Sequence, residues 1–257
     1  MAIRFASLGS GSRGNATLVE AGNTCLLIDC GFAARDFVLR CEALGFDPGR
    51  LDAVLVTHEH GDHVRGVGAV ARRFGIPVWM TPGTRAAVDP GRVEALNLFH
   101  SHAGAFRIGA LDVQPVPVPH DAREPTQFVF SHRRQRFGLL TDLGSITPRV
   151  VEAFDGVDAL LLECNHDPDL LAQGPYPPSL QARVGGRFGH LANAQAAELL
   201  GAIEQRRLSH LVAAHLSEKN NAPALARAAL ESACHDFEGC LSLLAQDRAS
   251  GWFEVAS

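Results

Sequence analysis

The chain has 257 residues, 46% of them hydrophobic, with 23 basic and 28 acidic side chains and a formal charge of −5 at pH 7. Such a composition supports a sizeable globular core and excludes a generally basic nucleic-acid coat, although a local basic patch can sit on an acidic total. No uncharged run reaches the roughly 18 residues of a membrane helix, residues 1–14 lack a secretory hydrophobic segment, and the six cysteines form no Cys-x-x-Cys pair, so a cytoplasmic, reduced protein is expected.

Residues 3–8 alternate weakly as a first strand, enter the loop Gly9-Ser10-Gly11-Ser12-Arg13-Gly14-Asn15, and continue to a second strand at 16–20. The loop lacks Gly-Lys-Ser/Thr and is no Walker motif. A third strand at 25–28 ends at Asp29, and Phe37, Val38, Cys41 and Leu44 recur at helical spacing until Gly45. The apolar run 51–56 leads through Thr57 to His58-Glu59-His60-Gly61-Asp62-His63, three imidazoles and two carboxylates within six positions. Imidazole nitrogen and carboxylate oxygen suit zinc, manganese or iron, and a strand end followed by a turn lets near neighbours converge on one point.

Val64, Val67, Val70, Ala71 and Phe74 predict a helix starting inside this motif, followed by a strand at 78–80, a helical segment at 84–88 and irregular sequence to Ser101. Residues 111–118, with prolines at 115 and 117, suit an edge strand that reaches His120. Strands at 128–131 and 137–141 read as a hairpin ending at Asp142; its Arg133, Arg134 and Arg136 fit either a grip on a DNA backbone or a solvated tip. A strand at 158–162 ends at Glu163. The polar, Pro/Gly-rich stretch between Cys164 and Leu191 reads as an active-site flap, because strong elements flank it closely. Asn193 caps a helix through Arg206, a strand at 208–214 ends at His215, Pro223 opens a helix through Ala233, and 240–245 with 252–255 predict a closing hairpin. No internal repeat or boundary divides the sequence, so residues 1–257 are expected to form one domain.

The residues that follow the apolar strands are Asp29, His58, His120, Asp142, Glu163 and His215, all with metal-type side chains. Six in series imply a sheet whose carboxyl ends converge on a metal-binding rim. A carboxylate shared by two cations reduces their repulsion and fixes them about 3.5–4 Å apart, and water between them ionises near neutral pH to become a nucleophile.

His58-x-His60-x-Asp62-His63 after a hydrophobic strand resembles the signature of the metallo-β-lactamase-fold hydrolases. Together with Ser7-Leu8-Gly9-Ser10-Gly11-Ser12, Pro119-His120-Asp121-Ala122, Thr141-Asp142-Leu143-Gly144, Glu163-Cys164-Asn165-His166-Asp167, Gly189-His190-Leu191 and His215-Leu216-Ser217, it resembles the YycJ/WalJ group over nearly the whole chain. Gly61 and Cys164 depart from that pattern at positions where serine is common. The resemblance implies an α/β fold, a four-layer αββα sandwich of two mixed sheets flanked by helices. It implies two divalent metal ions (Zn, Mn or Fe), one held by His58, His60 and His120, the other by Asp62, His63 and His215, with Asp142 bridging. Asp29 and Glu163 would orient ligand imidazoles through their free N–H groups.

The group also implies a DNA-directed nuclease with 5′-to-3′ exonuclease action, with DNA as substrate and DNA-repair proteins as candidate partners. Asp62, His190 and His166 are the expected catalytic residues: His190 resembles in context a phosphate-contacting histidine of tRNA-processing hydrolases, and His166 would touch substrate or deliver a proton. Asn15 and Asn220 are expected to bind substrate. The alternative is a small-molecule phosphodiesterase or thiolester hydrolase on the same scaffold; a non-catalytic metal-binding protein ranks third, because every expected ligand is present.

Overall fold

The computed structural model describes residues 2–256. Their first half forms β1 (Arg4–Gly9), β2 (Ala16–Ala21), β3 (Thr24–Ile28), α1 (Ala34–Leu44), β4 (Ala53–Leu55), α2 (Gly61–Val64), α3 (Val67–Phe74), β5 (Val78–Met80), α4 (Pro82–Ala87), β6 (Leu96–Leu98) and β7 (Phe106–Ile108). The remainder forms β8 (Leu111–Pro117), β9 (Thr126–His132), β10 (Gln135–Leu140), α5 (Pro148–Phe154), β11 (Ala159–Glu163), α6 (Pro168–Gln173), α7 (Pro178–Val184), α8 (Asn193–Gly201), β12 (His210–Ala214), α9 (Pro223–Ala233), β13 (Cys240–Leu243) and β14 (Phe253–Glu254).

Among the described residues the strands make two seven-stranded mixed sheets, ordered β14-β1-β2-β3-β4-β5-β6 and β13-β12-β11-β10-β9-β8-β7. Their apolar faces meet in a shared core that includes Phe5, Leu26 and Leu55 from one sheet and Phe128, Phe137 and Val212 from the other. The outer face of the first sheet buries Phe37 and Cys41 of α1 with Val67, Val70 and Ala71 of α3. That of the second buries α5, α8 and α9 through Phe154, Leu199 and Leu230. The result is the expected four-layer αββα sandwich.

The direction of the strands places the site. β3 and β4 are parallel, and so are β10, β11 and β12; β8 shares their direction because each is antiparallel to β9. Asp29, His58, His120, Asp142, Glu163 and His215 therefore gather at one end of the sandwich. Asp29, Asp142 and His215 have positive φ, 59°, 51° and 54°. This left-handed conformation is uncommon for residues with a side chain, and here it turns the chain sharply as it leaves the strand.

Several expectations change. The closing hairpin does not form: β13 adds parallel to β12 in the second sheet, whereas β14 pairs antiparallel with β1 in the first. Each segment satisfies a different sheet edge, a gain that local pattern does not reveal. The helix after Asn193 ends at Gly201, not Arg206. β8 is an edge only in its proline-bearing half, since β7 pairs with residues 111–113. The helix entering from the histidine motif breaks into α2 and α3 at Gly66, where an added Cβ would lie 1.9 Å from the Phe32 carbonyl oxygen. α5, capped by Thr147 Oγ1 accepting from Val150 N, was not anticipated, and the flap contains α6 and α7. No helix among the described residues is long and apolar enough to cross a membrane.

Candidate metal centre

His58, His60 and His120 come from the β4–α2 turn and the end of β8, yet their nitrogens nearly touch. His60 Nδ1 lies 3.0 Å from His58 Nε2 and 3.3 Å from His120 Nε2. Three nitrogens on one tetrahedral ion at Zn–N distances of about 2.0–2.1 Å would be about 3.4 Å apart, so the trio fits such an ion. A second set is formed by Asp62, His63 and His215, with Asp62 Oδ2 3.6 Å from His63 Nε2 and 3.7 Å from His215 Nε2. Asp142 lies between the sets: its Oδ2 is 3.2 Å from His63 Nε2 and its Oδ1 4.0 Å from His120 Nε2. Buried Asp142 Oδ2 and His215 Nε2 have no hydrogen-bond partner in the protein. Leaving such groups unsatisfied is expensive unless something else fills them, and a divalent cation is suited to both.

The second ring nitrogens of His58, His63, His120 and His215 are anchored. His58 Nδ1 donates to Thr57 Oγ1 at 2.9 Å, and Thr57 Oγ1 in turn donates to Asp29 Oδ2 at 2.7 Å. His63 Nδ1 donates to the same Asp29 oxygen at 2.8 Å, and His120 Nδ1 donates to the Gly189 carbonyl at 2.9 Å. Glu163 Oε1 takes both His215 Nδ1 at 2.9 Å and His190 Nδ1 at 2.8 Å. Each partner fixes a ring's orientation and leaves its other nitrogen for the cluster. Glu163 also lies close enough to Asp142, His190 and His215 for these four to form an alternative ligand group. Its two imidazole hydrogen bonds favour the orienting role.

Burial and charge oppose one another here. Burial lowers His63, but the Asp142 and Asp29 carboxylates outweigh it and hold the imidazole well above its ordinary value. His58, buried beside His63 with less help from carboxylates, lies well below. Asp142, despite its burial, is held well below the usual carboxylate range by His215 and His63. Cations would have to displace the imidazole protons, so affinity should rise with pH.

Three of the expected residues are buried and do not line the cleft. Asn15 is buried: its Oδ1 accepts from Gly11 N, and its Nδ2 lies 3.1 Å from His63 Nε2 and 3.4 Å from Asp62 Oδ2. It braces the ligand loop instead of lining the cleft. Asn220 is fully buried and supports the loop between β12 and α9, its Nδ2 donating to Ser217 Oγ at 3.3 Å. His166 is 3% exposed, its backbone bridged to Ala192, and it joins none of the ligand groups among the described residues. These polar residues lie in loops whose inward turn the sequence does not show. His190 does line the cleft, a space of about 320 Å³ also bordered by Asp62, Asp142 and His215. Sequence reasoning missed its Asn165, Tyr176, Arg183 and Ser217. Arg183 pairs with Asp121 across the opening. The arginine hairpin lies at the opposite end of β10 from Asp142, and Arg136 is spent on the Ala153 and Asp155 carbonyls.

Residues 24–215 match the family of the beta-lactamase superfamily domain. The chain is 32% identical over 230 residues to the exodeoxyribonuclease YycJ of Bacillus anthracis, covering 88% of this chain and 87% of that protein. It is 32% identical over 229 residues to the exodeoxyribonuclease WalJ of Streptococcus pneumoniae, covering 87% and 85%. Its fold is similar to that of the metallo-beta-lactamase fold protein YhfI from Bacillus subtilis, with a TM-score of 0.73, 14% identity and coverage of 97% and 99%.

Proposed function

The chain belongs to the beta-lactamase superfamily and is a metal-dependent hydrolase, and we propose that it is a dinuclear nuclease that hydrolyses DNA phosphodiester bonds as a 5′-to-3′ exonuclease. The observation that carries this reading is the convergence of seven metal-type side chains into overlapping ligand groups, in a chain whose likeness to two exodeoxyribonucleases is nearly full-length. His58, His60 and His120 would hold one cation, Asp62, His63 and His215 the other, with Asp142 between them. Bound there, two divalent ions supply a nucleophile from water at neutral pH and neutralise the charge of the phosphate.

The chain's own residues do the rest. Asp29, Thr57, Gly189 and Glu163 keep the imidazoles pointed at the cluster. His190, hydrogen-bonded to Glu163 through Nδ1, turns a cleft-lining ring toward substrate; burial opposes its proton, but Glu163 raises its value, so the ring is suited to protonate the leaving oxygen. The six cysteines are free, in keeping with a cytoplasmic enzyme.

End-labelled single-stranded, nicked and linear duplex DNA, and RNA, incubated with Zn, Mn or Fe in turn, test this reading. Stepwise loss of 5′ nucleotides from DNA is expected, abolished in Asp62→Ala and His63→Ala with the fold retained. Turnover of bis-p-nitrophenyl phosphate or an acylglutathione without polymer cleavage would favour the small-substrate alternative.

A further inference from the structure

We infer that Tyr176, with Leu180 and Val184 of α7, forms a stacking subsite for the base of the nucleotide beside the scissile phosphate. The subsite deepens the nuclease reading and rests on it for the position of the phosphate.

α7 buries none of its residues. Leu180 and Val184, one helical turn apart and so on the same face, join none of the three core clusters among the described residues and instead line the cleft. Tyr176, the chain's only tyrosine, lines it beside them. An apolar face that the core does not use is available to a ligand.

The backbone favours stacking. Pro175, Pro177 and Pro178 flank Tyr176, and proline fixes its own φ while restricting the residue before it. Gln181 Nε2 ties α7 back to the Ala172 carbonyl at 3.2 Å, and Lys219 Nζ lies 5.8 Å from the Tyr176 ring centroid. A ring held this way loses little freedom when a base settles on it.

The surroundings select a base over an acyl chain. The same cleft presents Asn165, Ser217 and Arg183, hydrogen-bonding groups that suit the edge of a base or a sugar and have little use against methylenes. Asp62, Asp142 and His215 line the cleft as well, where the phosphate would lie. A volume of about 320 Å³ is at the small end of ligand clefts, about 300–1,000 Å³, and accommodates one nucleotide, not a stacked run. The terminal residue of a strand would enter unpaired.

Calorimetry on the full-length, Mn-loaded protein tests this with a deoxynucleoside 5′-monophosphate and with 2-deoxyribose 5-phosphate, which lacks only the base. The nucleotide should bind about 5- to 150-fold more tightly, the range of one base stacked on an aromatic ring. Tyr176→Ala should abolish that preference and leave the sugar phosphate's affinity unchanged, while Tyr176→Trp retains it. Equal affinities in the unaltered protein, no binding of either compound, or an equal loss for both in Tyr176→Ala would overturn the subsite. A base preference that persists in a protein unable to cut any nucleic acid would leave the subsite standing and remove the nuclease reading; cleavage without a base preference would do the reverse.

Discussion

Glu163 carries two imidazoles on one carboxylate oxygen, His190 and His215. Burial alone would raise its carboxyl, yet these partners hold it down at about 2. Glu163→Gln removes the charge and leaves an amide whose one oxygen cannot accept both from the two rings and from Leu143 N and Leu191 N, which donate to the other carboxylate oxygen. Affinity for the His215-side cation should fall about 10- to 100-fold, read by competition with a chromogenic chelator, while far-UV circular dichroism stays unchanged. The cysteines make a separate prediction. Burial pushes the Cys30 and Cys41 thiols up to about 12, and those of Cys25 and Cys164 are raised as well. At pH 8 Ellman's reagent should label exposed Cys240 quickly and Cys234 slowly in the native protein, and all six only after denaturation. Seven metal-type side chains were legible because each sits in a dense motif or directly after an apolar strand. The burial of Asn15, Asn220 and His166 was not legible, because residue type does not report whether a loop side chain points in or out.

Two connections support the site at the scale of elements. The turn after β3 packs against α2 so tightly that a Cβ on Gly31 would lie 1.9 Å from the Asp62 carbonyl oxygen. Gly31→Ala should displace α2, destabilise the protein by about 1–3 kcal/mol and weaken the Asp62-side cation, both measured by thermal melts with and without metal. Glu124 links the start of α4 to the loop after β6: its carboxylate accepts from Gly83 N at 2.9 Å and from Ser101 N at 3.0 Å. Burial raises its value, but these amides outweigh it and the carboxyl is lowered. Its contribution is therefore present above the ordinary carboxylate value and lost as pH falls through the lowered one. Glu124→Gln should cost about 1–2 kcal/mol at pH 7, a difference that shrinks on acidification below about pH 4. Helices with a strong apolar period, α1 and α9, were read within a residue or two of their ends. α5 and β7 were not, because short segments carry too few side chains to establish a period.

The two sheets bring ligands from distant parts of the chain to one end of the molecule, so cations should stabilise the whole. At a free metal concentration of about 100 times Kd the gain is about 2.7 kcal/mol, and chelation should lower the melting temperature by about 5–10 °C. An unchanged melt would argue against occupancy of the cluster. The sandwich was legible because its strands alternate or run apolar and their ends share one chemistry. Which edge the last two strands join was not, since that choice depends on sheets separated by most of the sequence.

One consequence concerns how the protein is made. On the proposed assignment the first cation's imidazoles have all been translated by residue 120, whereas the second's are incomplete until residue 215. At about 5–20 residues per second that interval lasts on the order of ten seconds. During that interval the growing polypeptide would carry every imidazole of the first set but not those of the second, so on this assignment hydrolytic competence would follow the synthesis of His215.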